Sequence, residues 1–425
     1  MLGAAQLATA ALSADQNDHE AHLVCAEAVA ALGDKTAARD ALLRLCRTIA
    51  ETGDLYMALA AVLKAKELGG KVQEVLDGLA STYGAGSDRL RNAAPAAPPP
   101  VPRGALPEVQ PAERGQLVLA AKQAMMEASD GAELSREFDE PAAVPRAAIF
   151  SLLDREAFVE LARALRVRRF PAGEIVLEEG TPGSSFFIVA NGEVNVERKP
   201  PPAARAGSTE PIHLARLGPG SVFGEMAIIS RTPRSASVVA AVPVVLLEAD
   251  RDAIEMAALA APRVGEEVVE YCRRRMLSNL LNLSPILRRL DSTRRASLLR
   301  QFEMQFFDRG AVLIREDEAS AGMYLLVSGE VEVSRKEDAE PLVLARLGPG
   351  NVVGEISLVL RRPATASVVA IHPTTVLHLG GEKFLEIVRD HADLLAELYE
   401  LAIRRETETM SILAAEAESA DTLLI

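Results

Sequence analysis

The chain has 425 residues, 49% of them hydrophobic, and a formal net charge of −14. That length predicts roughly two to four domains, and the acidic balance argues against nucleic acid as a partner, since that surface needs Lys and Arg to replace phosphate counterions. No apolar run approaches the ~20 residues of a membrane-spanning helix, and the N-terminus lacks a charged segment followed by a signal-type core. The expectation is a cytoplasmic chain with no membrane partner.

Residues 1–88 read as helices rich in Ala and Leu, with LGDK at 32–35 answered by LGGK at 68–71. Gly33 and Gly69 fall where a helix ends in a left-handed residue before its partner begins. Two-helix units of about 34 to 36 residues resemble the tetratricopeptide repeat; a generic helical bundle is the plainer alternative, because Leu and Ala replace most of that repeat's aromatic positions. Either way the module is expected to offer helix faces and grooves to an unknown client protein. Cys25, Cys46 and Cys272 have neither metal-ligand spacing nor an even count, and read as buried thiols. His19 and His22, three apart in an acidic helix start, read as a solvated helix face rather than a zinc pair.

Residues 89–146 form a Pro-rich linker, with seven prolines between Pro95 and Pro111 and extended polyproline geometry favoured. Within it, 115–128 predicts a short amphipathic helix that covers a partner or folds back.

From Ala147 the chain repeats itself. RFPAGEIVLEEGTPGSSFFIVANGEVNVERK at 169–199 runs parallel to FFDRGAVLIREDEASAGMYLLVSGEVEVSRK at 306–336, and FGEMAIISRTPRSASV at 223–238 returns as VGEISLVLRRPATASV at 353–368. Each copy opens with a helical segment (149–165 and 285–302), continues as short period-two strands punctuated by glycine, and closes with long helices at about 250–281 and 381–412. The fold class is therefore α+β: N-terminal all-α helical hairpins, then two antiparallel rolls or barrels at 147–283 and 284–412, then a tail at 413–425. A Pro-, Gly- and Ser-rich insert beginning at Pro200 reads as a longer hairpin tip in the first copy.

The segment at 223–238 sets one carboxylate, Glu225, and one guanidinium, Arg234, among small residues. A 3′,5′-cyclic nucleotide presents a monoanionic phosphodiester and a free ribose 2′-hydroxyl, so its pocket wants one forked cation and one acceptor. Arg234 has parallel donors that match two phosphate oxygens, Glu225 is the acceptor, and backbone N–H groups near Gly224, Ala227 and Ala236 line an anion-binding concavity. Both copies resemble the cyclic nucleotide-binding domain shared by the regulatory subunit of cAMP-dependent protein kinase, cyclic-nucleotide-gated channels and the catabolite activator protein. That family's phosphate-binding cassette, F-G-E-[LM]-A followed by P-R-[STA]-A-[ST], is met in full by residues 223–237. The resemblance implies that Gly224, Glu225, Met226, Ala227, Arg234, Ser235 and Ala236 bind cAMP or cGMP, with Ser235 leaving the choice of purine open. It also implies that ligand re-seats the helices that follow, where Tyr271 is a candidate to cover the base.

The second cassette is degenerate. Gly354, Glu355, Ile356, Ser357, Ala364, Thr365 and Ala366 stand at matching positions, and Ala364 replaces the arginine. Upstream, Asp317 and Ser320 replace Gly180 and Gly183. Weak or absent binding is expected there, with Arg361 or Arg362 as substitutes from a shifted position. The retained acid without its base argues that Glu225 and Arg234 are more than an internal ion pair, since a stranded buried charge costs about 3–5 kcal/mol.

The basic stretch TRRASLL at 293–299 fits a kinase phosphorylation pattern but reads as ordinary helix, and the Pro-rich tether lacks a pseudosubstrate of that kind. Neither a nucleophile–base pair nor a metal cluster is visible, so an enzyme, a metal and a cofactor are not expected. The reading is a cyclic nucleotide receptor whose first domain senses the ligand and whose helices relay it to a protein partner. The alternative is a scaffold using the same folds without ligand.

Overall fold

The computed structural model describes residues 2–91, 113–134, 143–199, 210–226, 228, 233–283, 301–336, 341–390 and 392–422. Most of the Pro-rich stretch, the hairpin tip after Pro200, Ala227, the segment at 293–299 and nearly all of the expected helix at 285–302 lie outside the described residues. The chain divides into two compact units: residues 1–179, 184–228 and 236–271 form one, and 180–183, 229–235 and 272–425 form the other.

The first unit opens with helices α1 (Leu2–Ala14), α2 (His19–Ala31), α3 (Lys35–Thr52), α4 (Leu55–Glu67) and α5 (Gln73–Tyr83), each packed on the next. Aspartates start three of them. Oδ1 of Asp18, Asp34 and Asp54 accepts the N–H of Ala21, Ala37 and Met57 at 2.8, 3.0 and 3.1 Å, satisfying an amide that the first helical turn leaves without a partner. Gly33 (φ 112°) and Gly69 (φ 82°) take the left-handed conformation expected of them. His22 is buried, not on the solvated face anticipated for it.

Short strands β1 (Leu90–Arg91) and β2 (Val144–Pro145) pair in parallel across the Pro-rich stretch. The helix expected within that stretch is α6 (Arg114–Leu134), and it folds back onto α1, α2 and α3. An Arg114 guanidinium N–H donates to the Leu32 carbonyl at 2.6 Å, and Lys122 pairs with Asp34 at the turn between α2 and α3.

Helix α7 (Arg155–Ala164), capped by Asp154, leads into the first roll. Its strands are β3 (Arg166–Phe170), β4 (Ile175–Leu177), β5 (Ser185–Asn191), β6 (Val194–Arg198), β7 (Ile212–Leu217), β8 (Val222–Phe223), β9 (Ser237–Ala240) and β10 (Val244–Asp250). They form two four-stranded antiparallel sheets, ordered β3-β10-β5-β8 and β4-β9-β6-β7. Inward residues of both sheets, Phe187, Val189, Val194, Phe223, Val238 and Leu246 among them, make the core. Helices α8 (Arg251–Ala260) and α9 (Arg263–Leu283) follow.

Helix α4 lies between the helical module and this roll, touching α3 on one side and β3 and β5 on the other. That position explains why every residue from Leu55 to Leu63 is buried. Polar contacts fasten the same seam: Arg169 pairs with Glu27 at 2.7 Å, and the Asn191 amide donates to Glu20 at 2.6 Å. The N-terminal helices and the first roll thus share one compact body.

The second unit repeats the roll with β11 (Glu303–Phe307), β12 (Val312–Ile314), β13 (Gly322–Ser328), β14 (Val331–Arg335), β15 (Leu342–Leu347), β16 (Val352–Val353), β17 (Ser367–Ala370) and β18 (Thr374–Gly380). The strand orders, β11-β18-β13-β16 and β12-β17-β14-β15, reproduce those of the first roll position for position. Helix α10 (Glu355–Leu360) lies in the cassette, and α11 (Gly381–Asp390) and α12 (Ala392–Thr422) close the unit. Among the described residues, no helix is long and apolar enough to cross a membrane.

Candidate ligand-binding site

In the first unit, β8 delivers the chain to the cassette with Phe223 stacked on Phe187 at 5.3 Å between ring centroids. Gly224 then turns through φ 77°, a conformation that L side chains resist. Glu225 follows, only 4% exposed, and Met226 is half-buried. The Ile228 N–H donates to the Glu225 carbonyl at 3.1 Å, and the guanidinium of Arg251, the first residue of α8, donates to the Ile228 carbonyl at 3.1 Å. The cassette is thereby tied to the start of the closing helices. Ala236 is half-buried at the head of β9, where the Ser237 hydroxyl accepts the Glu179 N–H at 3.0 Å. Tyr271 is half-buried within electrostatic reach of the Tyr56 hydroxyl on α4, helping to raise that phenol's pKa behind the larger effect of burial.

Arg234 belongs to the second unit, with the 180–183 loop. Its N–H donates to the Thr181 carbonyl and its carbonyl accepts the Gly180 N–H, both at 2.9 Å. The side chain is 7% exposed and its guanidinium lies flat against Gly183. A Cβ added at Gly183 would sit 2.3 Å from Arg234 Nε and 2.5 Å from Cζ, closer than any real contact. Gly183 is therefore a bed for the guanidinium, a role that the sequence shows only as a difference between the two copies. Ser235 is exposed.

The second cassette keeps the backbone and changes the chemistry. Ala364 makes the same pair of hydrogen bonds as Arg234: its N–H donates to the Glu318 carbonyl at 2.9 Å and its carbonyl accepts the Asp317 N–H at 2.8 Å. Asp317 adopts the left-handed φ of 64°, matching Gly180 at 82°. Gly354 is required, since a Cβ there would lie 2.5 Å from the Gly322 carbonyl oxygen. Ser357 is buried, Ile356, Thr365 and Ala366 are half-buried, and Ala364 joins an apolar cluster with Leu313, Ile314, Val353 and Val368.

Glu355, 1% exposed, is not stranded. The guanidinium of Arg405 on α12 donates from Nη1 to Glu355 Oε1 at 2.7 Å and also to the Val352 carbonyl. Burial pushes the Glu355 carboxyl above its usual range and Arg405 pulls it back. The acid retained without a cassette arginine is therefore no stranded charge, because the compensating cation comes from another element. Arg362, offered as a substitute for the missing arginine, pairs with Glu406 of α12, and Arg361 is exposed. Arg405 had no motif to announce it. Its only signal was a lone arginine on the apolar row of Leu398 and Ala402.

The family model for the cyclic nucleotide-binding domain matches residues 167–259 and 304–391, and the two rolls belong to that family. Among curated relatives, the cAMP-dependent protein kinase regulatory subunit of Yarrowia lipolytica is 32% identical over 249 residues, covering 59% of this chain and 61% of that protein. The cGMP-dependent protein kinase egl-4 of Caenorhabditis elegans is 30% identical, over 56% of this chain and 28% of that one. The match thus spans less than two thirds of these relatives. Among solved structures, the regulatory domain of Toxoplasma gondii PKA with cAMP is 23% identical with a TM-score of 0.30, covering 60% of this chain and 92% of that chain.

Proposed function

We propose that the chain is a cytoplasmic cyclic nucleotide receptor, with domain limits near residues 88, 146, 283 and 412, that binds cAMP or cGMP in its first roll and not in its second. Arg234 clamps the cyclic phosphate through its forked donors, while Glu225 accepts the ribose 2′-hydroxyl. Gly224, Met226, Ala227, Ser235 and Ala236 shape the backbone around the ligand. The observation that carries this reading is the Arg234 guanidinium, buried against a glycine that leaves room for nothing larger. A planar, permanently charged fork held in one orientation suits a phosphodiester. The relatives include both cAMP- and cGMP-dependent proteins, and Ser235 favours neither.

The signal passes to the closing helices through Arg251, which joins the cassette backbone to the first turn of α8. The partner is a protein, engaged by the N-terminal helices. Because one relative is a kinase regulatory subunit, a kinase catalytic subunit is the first client to try, although the Pro-rich tether carries no basic pair before a small residue. Displacement of a fluorescent cyclic nucleotide tests the site. Arg234→Ala is expected to weaken binding by about 100-fold or more, since hydrogen bonds to charged groups are worth about 1.5–3 kcal/mol each. Unchanged affinity in a folded variant would remove Arg234 from the site and favour the ligand-free scaffold.

A further inference from the structure

The buried acid of the second cassette is paired within its own chain. Arg405 lies on the face of α12 that carries Leu398 and Ala402, both fully buried, at the i, i+4, i+7 spacing that brings three side chains to one side of a helix. From there it donates to Glu355 and to the Val352 carbonyl, on either side of Gly354. The neighbouring Glu406 takes the Arg362 guanidinium. Two ion pairs of opposite sense thus join α12 to the cassette, one cation supplied by each partner.

The ligand's place is altered to match. Where the first cassette lays Arg234 on Gly183, the second has Ala364 in the apolar cluster and Ser320, whose hydroxyl donates to the Gly322 carbonyl at 2.7 Å. The fork for a phosphate has gone from that position, and the acceptor for a ribose hydroxyl is already held. The two losses explain each other: a bare Glu355 at 1% exposure is untenable without a cation, so the acid survives because Arg405 serves it.

We propose that Arg405 is the resident occupant of the second cassette, standing in for a ligand and holding α12 closed on the roll whether or not a cyclic nucleotide is present. The inference shares one premise with the proposed function, that the second roll does not bind nucleotide, and is independent of whether the first one does. Hydrogen–deuterium exchange on the full chain separates the two. In the wild type, residues 392–410 are expected to be protected without nucleotide and unchanged by saturating cAMP or cGMP. Arg405→Met is expected to speed exchange there by about tenfold or more while strand Gly322–Ser328 keeps its protection. Should that variant lose protection in the strand as well, Glu355→Gln, which keeps an acceptor for Arg405 but removes the charge, gives the same readout. Unchanged exchange at 392–410 in both variants would overturn the proposal. So would nucleotide-induced protection of 392–410 in a chain carrying Arg234→Ala. A first cassette that ignores nucleotide while 392–410 behaves as stated would sink the receptor reading and leave the latch standing.

Discussion

Gly183 lies against the Arg234 guanidinium, and Ser320 stands at the matching position of the second cassette. At Gly183 even a methyl group would lie within 2.5 Å of three guanidinium atoms of Arg234. Gly183→Ala should therefore displace the guanidinium and weaken cyclic nucleotide binding about as far as Arg234→Ala does, with the thermal midpoint within a few degrees of wild type; calorimetry and a melting curve read both. The converse substitution tests the same geometry. Ala364→Arg puts a charge into an apolar cluster with Ser320 in its bed, and an uncompensated buried charge costs about 3–5 kcal/mol. A drop of several degrees in melting temperature follows for the single variant, and Ser320→Gly added to it should recover a clear part of the loss. No recovery would show that Ser320 is not what excludes the guanidinium. Both members of the pair were visible in the sequence as replacements, but their contact was not, because it joins two loops with no shared motif.

Helix α2 shows at the element scale how burial changes the meaning of a residue. His22 reads in the sequence as part of a solvated face with His19. In the fold, burial, with smaller contributions from His19 and Arg44, pulls its pKa down to about 3. The unfolded chain takes up a proton as pH falls below the ordinary value near 6.5 and the folded chain does not, so stability drains away between pH 6.5 and 3, by about 1.4 kcal/mol per unit at most. Asp54, which caps α4, has the opposite sign: burial lifts it to about 6, so the folded state binds its proton first and gains stability as pH falls from there toward 4. The two effects oppose each other in the wild type. Comparing urea unfolding of His22→Leu with wild type isolates the histidine, and the variant should gain on the wild type steadily from pH 6.5 to 4.5; a difference independent of pH would contradict the assignment. The elements themselves were largely legible. Asp154 and the glycine turns mark their helix ends, and the duplicated strand runs gave the same strand order twice. What escaped was tertiary: the choice of α1–α3 as the surface that α6 folds back onto, and Arg405 reaching Glu355 across fifty residues, depend on which faces meet, and periodicity names a face without naming its neighbour.

At the scale of the whole molecule, a helical module and a roll share one body, and a second roll keeps the architecture while its cassette is filled from within. The motif at 223–237 made the family legible because so much chemistry is packed into a short segment, and duplication made the degeneration legible by supplying its own control. Helix α4, buried from Leu55 to Leu63 between α3 and strands β3 and β5, could be read as helix but not as a seam, since an apolar run on all sides of a helix does not say what lies on its far side. The account stands on an asymmetry between the two cassettes, and calorimetric titration of the full chain with cAMP and with cGMP measures it directly. Saturable binding of at least one of them at one site per chain is the predicted result; two sites per chain, or none with either nucleotide, would contradict it.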